Sequence, residues 1–218
     1  MREFPLPLPS RMRDLPVDRR GYPVPKFVEW IDGQPDFRVV DSAHLSRCVR
    51  HRRCWICGEP LGGTFAFVIG PMCAVNRINA EPPSHVDCAQ FAATACPFLS
   101  QPLARRNERD LPVETRATAG IMLEHNPTAC CLWVTKNYGV RVLQSGVLFT
   151  LGDPLRLEFY HRGRPATRLE VNRAIDTGLP KLEAVAKQDG IVGERALKLK
   201  LIAFRRMLDR QPWPKEAA

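Results

Sequence analysis

Long apolar runs are missing from this 218-residue chain. None approaches the roughly 20 residues that a membrane-crossing helix needs, and the opening Met1-Arg-Glu-Phe-Pro-Leu-Pro lacks the apolar core of a secretory signal. The expectation is a cytoplasmic protein with no membrane partner. Histidine is scarce, at five. None of the five begins the His-x-Glu of a zinc deaminase or the His-Glu-x-x-His of a metalloprotease, and no Gly-x-x-x-x-Gly-Lys phosphate loop occurs. A Ser/His/Asp triad stays open, since its members need not be neighbours in sequence. Acidic residues are outnumbered, 23 against 32 Lys and Arg, and the resulting net charge of +9 suits a polyanionic partner such as nucleic acid.

Cysteine, by contrast, is plentiful, at eight. In a reducing compartment such a set points to metal before disulfides. Cys54-Trp-Ile-Cys57-Gly58 is followed by 26 residues and then by His85-Val-Asp-Cys88. A Cys-x-x-Cys turn brings two sulfurs onto one ion, and tetrahedral zinc then needs two more borderline or soft ligands, which His85 and Cys88 supply. Ser84 and Asp87 have the form of a helix N-cap answered from the third position, so both ligands are expected in the first turn of a helix. Residues 64–69, Gly70-Pro71 and residues 72–78 read as strand, tight turn and strand. Knuckle, hairpin and ligand-bearing helix is the order of a treble-clef zinc finger. Three cysteines and a histidine fill the shell, so the expected cofactor is one structural Zn2+. No histidine lies in 64–78, which removes the second-metal site of a treble-clef nuclease. Cys96 stands about 12 Å along a helix from Cys88, too far to share the ion, and Cys48 and Cys73 read as core thiols.

The expected architecture is α+β. Residues 1–26 form a proline-rich extended arm, either a basic arm lying along phosphates or a strap held down by Phe4, Leu6 and Leu8. Residues 27–99 contain a hairpin around Asp32-Gly33, a helix capped by Asp41 or Ser42, and the zinc module. A polar linker spans 100–127. Residues 128–218 then hold short strands at 130–135, 139–144, 147–151 and 155–160, read as a small antiparallel meander. A Thr167-x-x-Glu170 capping box opens a C-terminal helical hairpin, with Val171, Ile175, Leu179, Leu182 and Ala186 inward on its first arm, read as one kinked helix or two abutting ones across Gly178 and Pro180, and Leu197, Leu201, Phe204 and Leu208 on its second.

The segments CWICGEPLGG, FVIGPM, EPPSHVDCAQFA and CPFL, with GYPVPKFVEWIDGQPDFRVVD upstream and GRPATRLEV downstream, resemble a group of zinc-binding proteins from bacteria and their phages that has no assigned activity. The resemblance covers most of the chain. It implies a bacterial or phage, intracellular setting and implies no substrate.

Two basic clusters bear on function. Arg47, Arg50, Arg52 and Arg53 crowd the end of the first helix and lead into the knuckle. They read as a nucleic-acid surface or, equally, as cations placed favourably at a helix C-terminus. Arg162, Arg164 and Arg168 surround the capping box, as an anion pocket or as an exposed turn. The leading reading is a basic zinc protein that binds nucleic acid. Its rivals are a protein-interaction module, such as a phage-type regulator or inhibitor of a host protein, and an enzyme acting on an anionic substrate through residues 162–168.

Overall fold

Prolines keep the N-terminal arm irregular apart from a 3-10 turn at Ser10–Met12. The structure, a computed structural model, describes residues 2–101, 126 and 128–214. Phe4, Leu6 and Leu8 of the arm pack against a buried cluster that holds Met12, Leu15, Cys54, Cys57, Cys88 and Phe91. The arm thus packs down as a strap on the cluster that contains the cysteines. The hairpin follows as expected: β1 (Val28–Ile31) and β2 (Gln34–Val40) are antiparallel. Asp32 and Gly33 turn between them at φ of 49° and 73°, the two left-handed residues of a tight hairpin turn. The Asp41 carboxylate accepts from the His44 amide at 2.9 Å and caps α1 (Ser42–His51), which ends at Arg52 in a left-handed conformation.

The strand–turn–strand expected over 64–78 is corrected by the structure. β3 (Phe65–Ile69) forms, but Gly70-Pro71 opens a helix, α2 (Pro71–Asn76), before a two-residue strand β4 (Ile78–Asn79). Proline at the first helical position has its φ set for helix and no amide to lose there, and that signal outweighs the β-branched character of the segment. The expected cap on the next helix is also displaced by one residue. Ser84 exchanges both backbone hydrogen bonds with Ala66 of β3, His85 becomes the cap residue of α3 (Val86–Ala95), and Asp87 accepts from the Cys88 amide. A short α4 (Pro97–Ser100) follows. Of the linker expected over 100–127, residues 102–125 and 127 lie outside the described residues.

Four strands come next, at nearly the expected positions: β5 (Cys130–Thr135), β6 (Tyr138–Leu143), β7 (Gly146–Leu151) and β8 (Pro154–His161). They do not form one meander. β5 lies between β3 and β8 in a four-stranded antiparallel sheet completed by β9 (Arg164–Pro165), whereas β6 and β7 turn away to pair with β4. The composition of β5 explains the split. All six of its residues are buried, so it needs partners on both edges and cover on both faces, which a meander does not supply. The divergence is pinned at one point, where the Thr135 hydroxyl lies 3.1 and 2.9 Å from the carbonyls of Asn137 and Asp153, with one hydrogen to share between them, and the Trp133 indole donates to the Gly152 carbonyl. A side chain on Gly152 would overlap Asn137 there.

Alternation along the strands divides the interior. Phe65, Phe67, Cys131, Trp133 and Phe159 point to a large core shared with α2, the second sheet and two long helices, α5 (Arg168–Gln188) and α6 (Gly190–Asp209). Ala66, Cys130, Leu132, Val134 and Tyr160 point to the other side, where Ala89 and Ala93 let α3 approach closely. Cys130 and Cys131 thus face opposite layers, as adjacent strand residues must. Strand β3, from the segment expected to be the zinc module, pairs along its whole length with β5, from the segment expected to be separate. Pro180 lies inside α5, which runs on through it as one helix.

The capping box at the start of α5 is present in both directions, with the Glu170 carboxylate accepting from the Thr167 amide at 2.8 Å. Burial alone would raise the Glu170 carboxyl, but the Arg164 fork, the Thr167 amide and His161 bring it down to about 2. A carboxylate so depressed stabilises the fold above its unfolded-state value and loses that contribution as pH falls through the folded-state value. Glu170→Gln is therefore expected to cost about 1 kcal/mol at neutral pH. The gap to the natural protein should narrow between about pH 4 and about pH 2, as read by urea unfolding across that range.

Candidate metal centre

The knuckle is built by the backbone before any ligand is considered. The amides of Cys54 and Gly58 bond to the carbonyls of Glu59 and Cys54 at 2.8 and 3.0 Å, closing a tight loop, and Arg53 and Pro60 bridge its base. Gly58 sits at φ +80°, a conformation that strains any residue with a side chain. Two amides face the first sulfur: those of Cys57 at 3.5 Å and of His85 at 3.4 Å from Cys54 Sγ. The second comes from the cap of α3, so the shift of that cap by one residue is what turns the His85 amide onto the site.

Cys54, Cys57, His85 and Cys88 each offer one ligand atom, and the four atoms lie within 4.8 Å of one another. They are close enough to hold one metal ion. Zn–S and Zn–N bonds of about 2.3 and 2.0 Å set ligand atoms of a tetrahedral zinc roughly 3.5–3.8 Å apart, and the Cys57 Sγ to His85 Nδ1 separation is 3.4 Å. The donor set fits zinc in chemistry and in size. His85 Nε2 lies 3.0 Å from the Pro60 carbonyl. A proton on Nε2 is thereby donated to that oxygen, and the Nδ1 lone pair is left to face the sulfurs, the outer-shell arrangement that orients a ligating imidazole.

Charge is concentrated in the cluster. Burial would push the Cys54 thiol up, but donors from Cys57, Cys88 and His85 converge on its sulfur and hold it far below the ordinary thiol range. Burial would likewise lower the His85 imidazolium, yet the Cys54 and Cys57 sulfurs push it up to about 10. Cys88 is pushed well up by the same two sulfurs and by burial. The crowded sulfurs call for positive charge among them, and a divalent cation held by the four groups would supply it.

Support around the ligands comes from residues that sequence reading passed over. His44 is 2% exposed, and its Nε2 lies 3.0 Å from the carbonyl of Trp55, between the two knuckle cysteines. Its imidazolium is disfavoured first by burial, against the pull of that carbonyl, so the neutral ring donates to the knuckle. His44 and Phe27 both stack on Trp55, with ring centroids 5.6 and 4.8 Å away. The i, i+4 spacing of His44 and Cys48 on the inward side of α1 was the available signal. Cys48 Sγ lies 3.4 Å from His44 Nε2, and burial followed by the nearby Cys54 pushes its thiol up to about 12, which suits a core thiol.

The arginines are dispersed by comparison. Arg47 reaches Asp41 at 3.5 Å, Arg50 is exposed, and Arg53 is half-buried at the base of the knuckle. The Arg52 guanidinium lies 4.9 Å from the Phe65 ring. In the second cluster Arg164 forks onto Glu170 at 2.5 and 3.0 Å, Arg168 pairs with Asp209, and Arg162 is exposed in a left-handed turn. A cleft of about 320 Å³ beside α5 and α6 includes Arg168 and Arg205 together with Asp176 and Asp209. Its cations stand beside carboxylates. No helix among the described residues is long and apolar enough to cross a membrane.

The metal centre yields two expectations. Purified protein should carry one equivalent of zinc, and X-ray absorption should show three sulfur neighbours at about 2.3 Å and one nitrogen at about 2.0 Å; Cys57→Ser and Cys88→Ser should lose the metal. Gly58→Ala should keep the ligands but destabilise the loaded protein by about 1–2 kcal/mol, measured by denaturant unfolding. No family model, curated protein or solved structure matches this chain, so the case for a metal rests on its own donor geometry.

Proposed function

We propose that the protein is an intracellular binding protein in which Cys54, Cys57, His85 and Cys88 hold one structural Zn2+, and that it binds nucleic acid through the basic end of α1. The full set of four donors supports a structural over a catalytic ion, because no ligand position is left for substrate or water. All eight cysteines are free of disulfides, which suits a reducing cytoplasm. The observation that carries the nucleic-acid reading is continuity: Arg52 and Arg53 run directly into the ligand Cys54. Zinc therefore fixes the backbone on which these arginines stand, and Arg50 projects from the last turn of α1 into solvent, while Arg47, also exposed, reaches back to Asp41. Fixed cations on a chain of net charge +9 are the footprint of a phosphate-backbone contact.

A second reading, docking to a protein, is favoured by one feature of α6. Ile191, Val192, Leu199 and Ile202 are left 83%, 80%, 60% and 40% exposed on it, more apolar surface than a solvated helix requires. The reading of residues 162–168 as an anion-binding centre draws less support, since Arg164 and Arg168 are already held by Glu170 and Asp209.

The test is binding of nuclease-cleared protein to short labelled DNA and RNA over a salt series. The expected result is affinity that falls steeply with salt, with Arg50→Ala and Arg53→Ala each lowering the salt slope by about 1. Absence of binding at about 50 mM salt would retire the reading in favour of a protein partner.

A further inference from the structure

The β1–β2 ribbon presents two unlike faces. Trp30 is registered opposite Pro35; Phe37 stands two residues further along β2, just where the register shifts between Glu29 and Val28, and alternation within β2 puts it on the side of Pro35. Glu29, registered with Asp36, takes the other, where Arg38 forks onto Asp36 at 2.8 and 2.6 Å. On the first face Trp30 and Phe37 are 44% and 41% exposed. A fold that buries Trp133 completely leaves this aromatic pair in water, and two large rings on one narrow ribbon are an interaction surface in composition.

The strap sets cations against the same face. The Arg20 guanidinium lies 5.5 Å from the centroid of Phe37 and 5.4 Å from that of Tyr22, and the Arg2 guanidinium lies 4.0 Å over Tyr22. Arg20 bonds to Asp18 at 2.8 Å, and the adjacent Arg19 is exposed. Arg2 and Arg20 thus stand beside the Tyr22 and Phe37 rings, with the exposed Arg19 next to Arg20 in the chain, while Glu29 and Asp36 of the ribbon are registered opposite one another. The juxtaposition defines the partner's chemistry: flat and apolar where it meets Trp30 and Phe37, anionic where it meets the arginines.

We propose that the Trp30–Phe37 face is a stacking platform for an unpaired polynucleotide strand, with the exposed Arg2 and Arg19 taking its phosphates and Arg20, held by Asp18, bordering the rings. This rests on the nucleic-acid reading above and narrows it to single strands. Unpaired bases expose the π faces that aromatic side chains stack on, whereas a duplex hides them within its own stack. The arginines supply the charge that follows the backbone, and an exposed ribbon face suits stacking better than groove reading, where side chains must reach base edges.

The test uses the full zinc-loaded protein with oligo-dT, oligo-U and a duplex of equal length. Single strands should bind more tightly than duplex and quench tryptophan emission, because Trp30 is the most exposed of the four tryptophans, with Trp55 and Trp133 buried and Trp213 half-buried. Trp30→Ala and Phe37→Ala should each weaken single-strand binding by roughly 5- to 100-fold, the range of one lost base stack, with zinc content and helicity unchanged. Trp30→Phe should keep most of the affinity and lose the quench. If the alanine variants bind as the natural protein does while Arg50→Ala and Arg53→Ala weaken binding, the platform is overturned and the basic-helix reading stands. If duplex binds as tightly as single strands without quenching, the platform is likewise overturned. If no nucleic acid binds, both readings fall, and the aromatic face belongs to a protein contact.

Discussion

Four metal-ligand groups inside an apolar shell are a constraint that the rest of this half of the molecule has to satisfy. Cys54 and Cys88 are 0% exposed, among Met12, Ile56 and Phe91. Anionic sulfurs in such surroundings repel one another and are poorly solvated, so they are tolerable only around a cation. Once that cation is granted, the neighbouring elements follow. The knuckle supplies two ligands and the cap of α3 the other two. The strap packs on the apolar cluster that holds the cysteines, and α1 braces the turn through His44. A metal ion held by the four groups would join the knuckle to the start of α3.

The second organising element is β5, whose six buried residues demand cover on every side. That demand is met by β3 on one edge and β8 on the other, with α3 over one face and the long C-terminal helices over the opposite one. The metal centre and the helical hairpin are thereby placed on the two sides of one sheet. Their relative position depends on hydrogen bonds between strands far apart in sequence. The same requirement sends β6 and β7 away into a separate sheet with β4.

Charge is used in two ways. Arg38, Arg164 and Arg168 are held by carboxylates, and Arg52 rests over an aromatic ring. Such residues contribute to local order, and a net positive charge counted from composition overstates what they offer a partner. Other cations stand in the open, including Arg19 on the strap and Arg50 at the end of α1. Both positions sit on backbone held by the metal-centred half, by the strap in one case and by the knuckle in the other.

Local patterns by themselves determined much of this protein. The Cys-x-x-Cys and His-x-x-Cys pairs, the Asp32-Gly33 turn, the Asp41 cap, the Thr167–Glu170 capping box and the apolar spacing of the last two helices each depend on residues within a few positions of one another. Those elements stand where the chain says they should. Tertiary structure alone decided which strands pair and that His44 supports the knuckle. Those outcomes depend on burial and on partners tens of residues away. A strand pattern states which residues want to be covered and not what covers them, and β5 could be completed only by β3, more than sixty positions earlier. Likewise a run of arginines reads as one patch in the sequence, and only the folded chain reveals which of them Asp41, Phe65, Glu170 and Asp209 have already claimed.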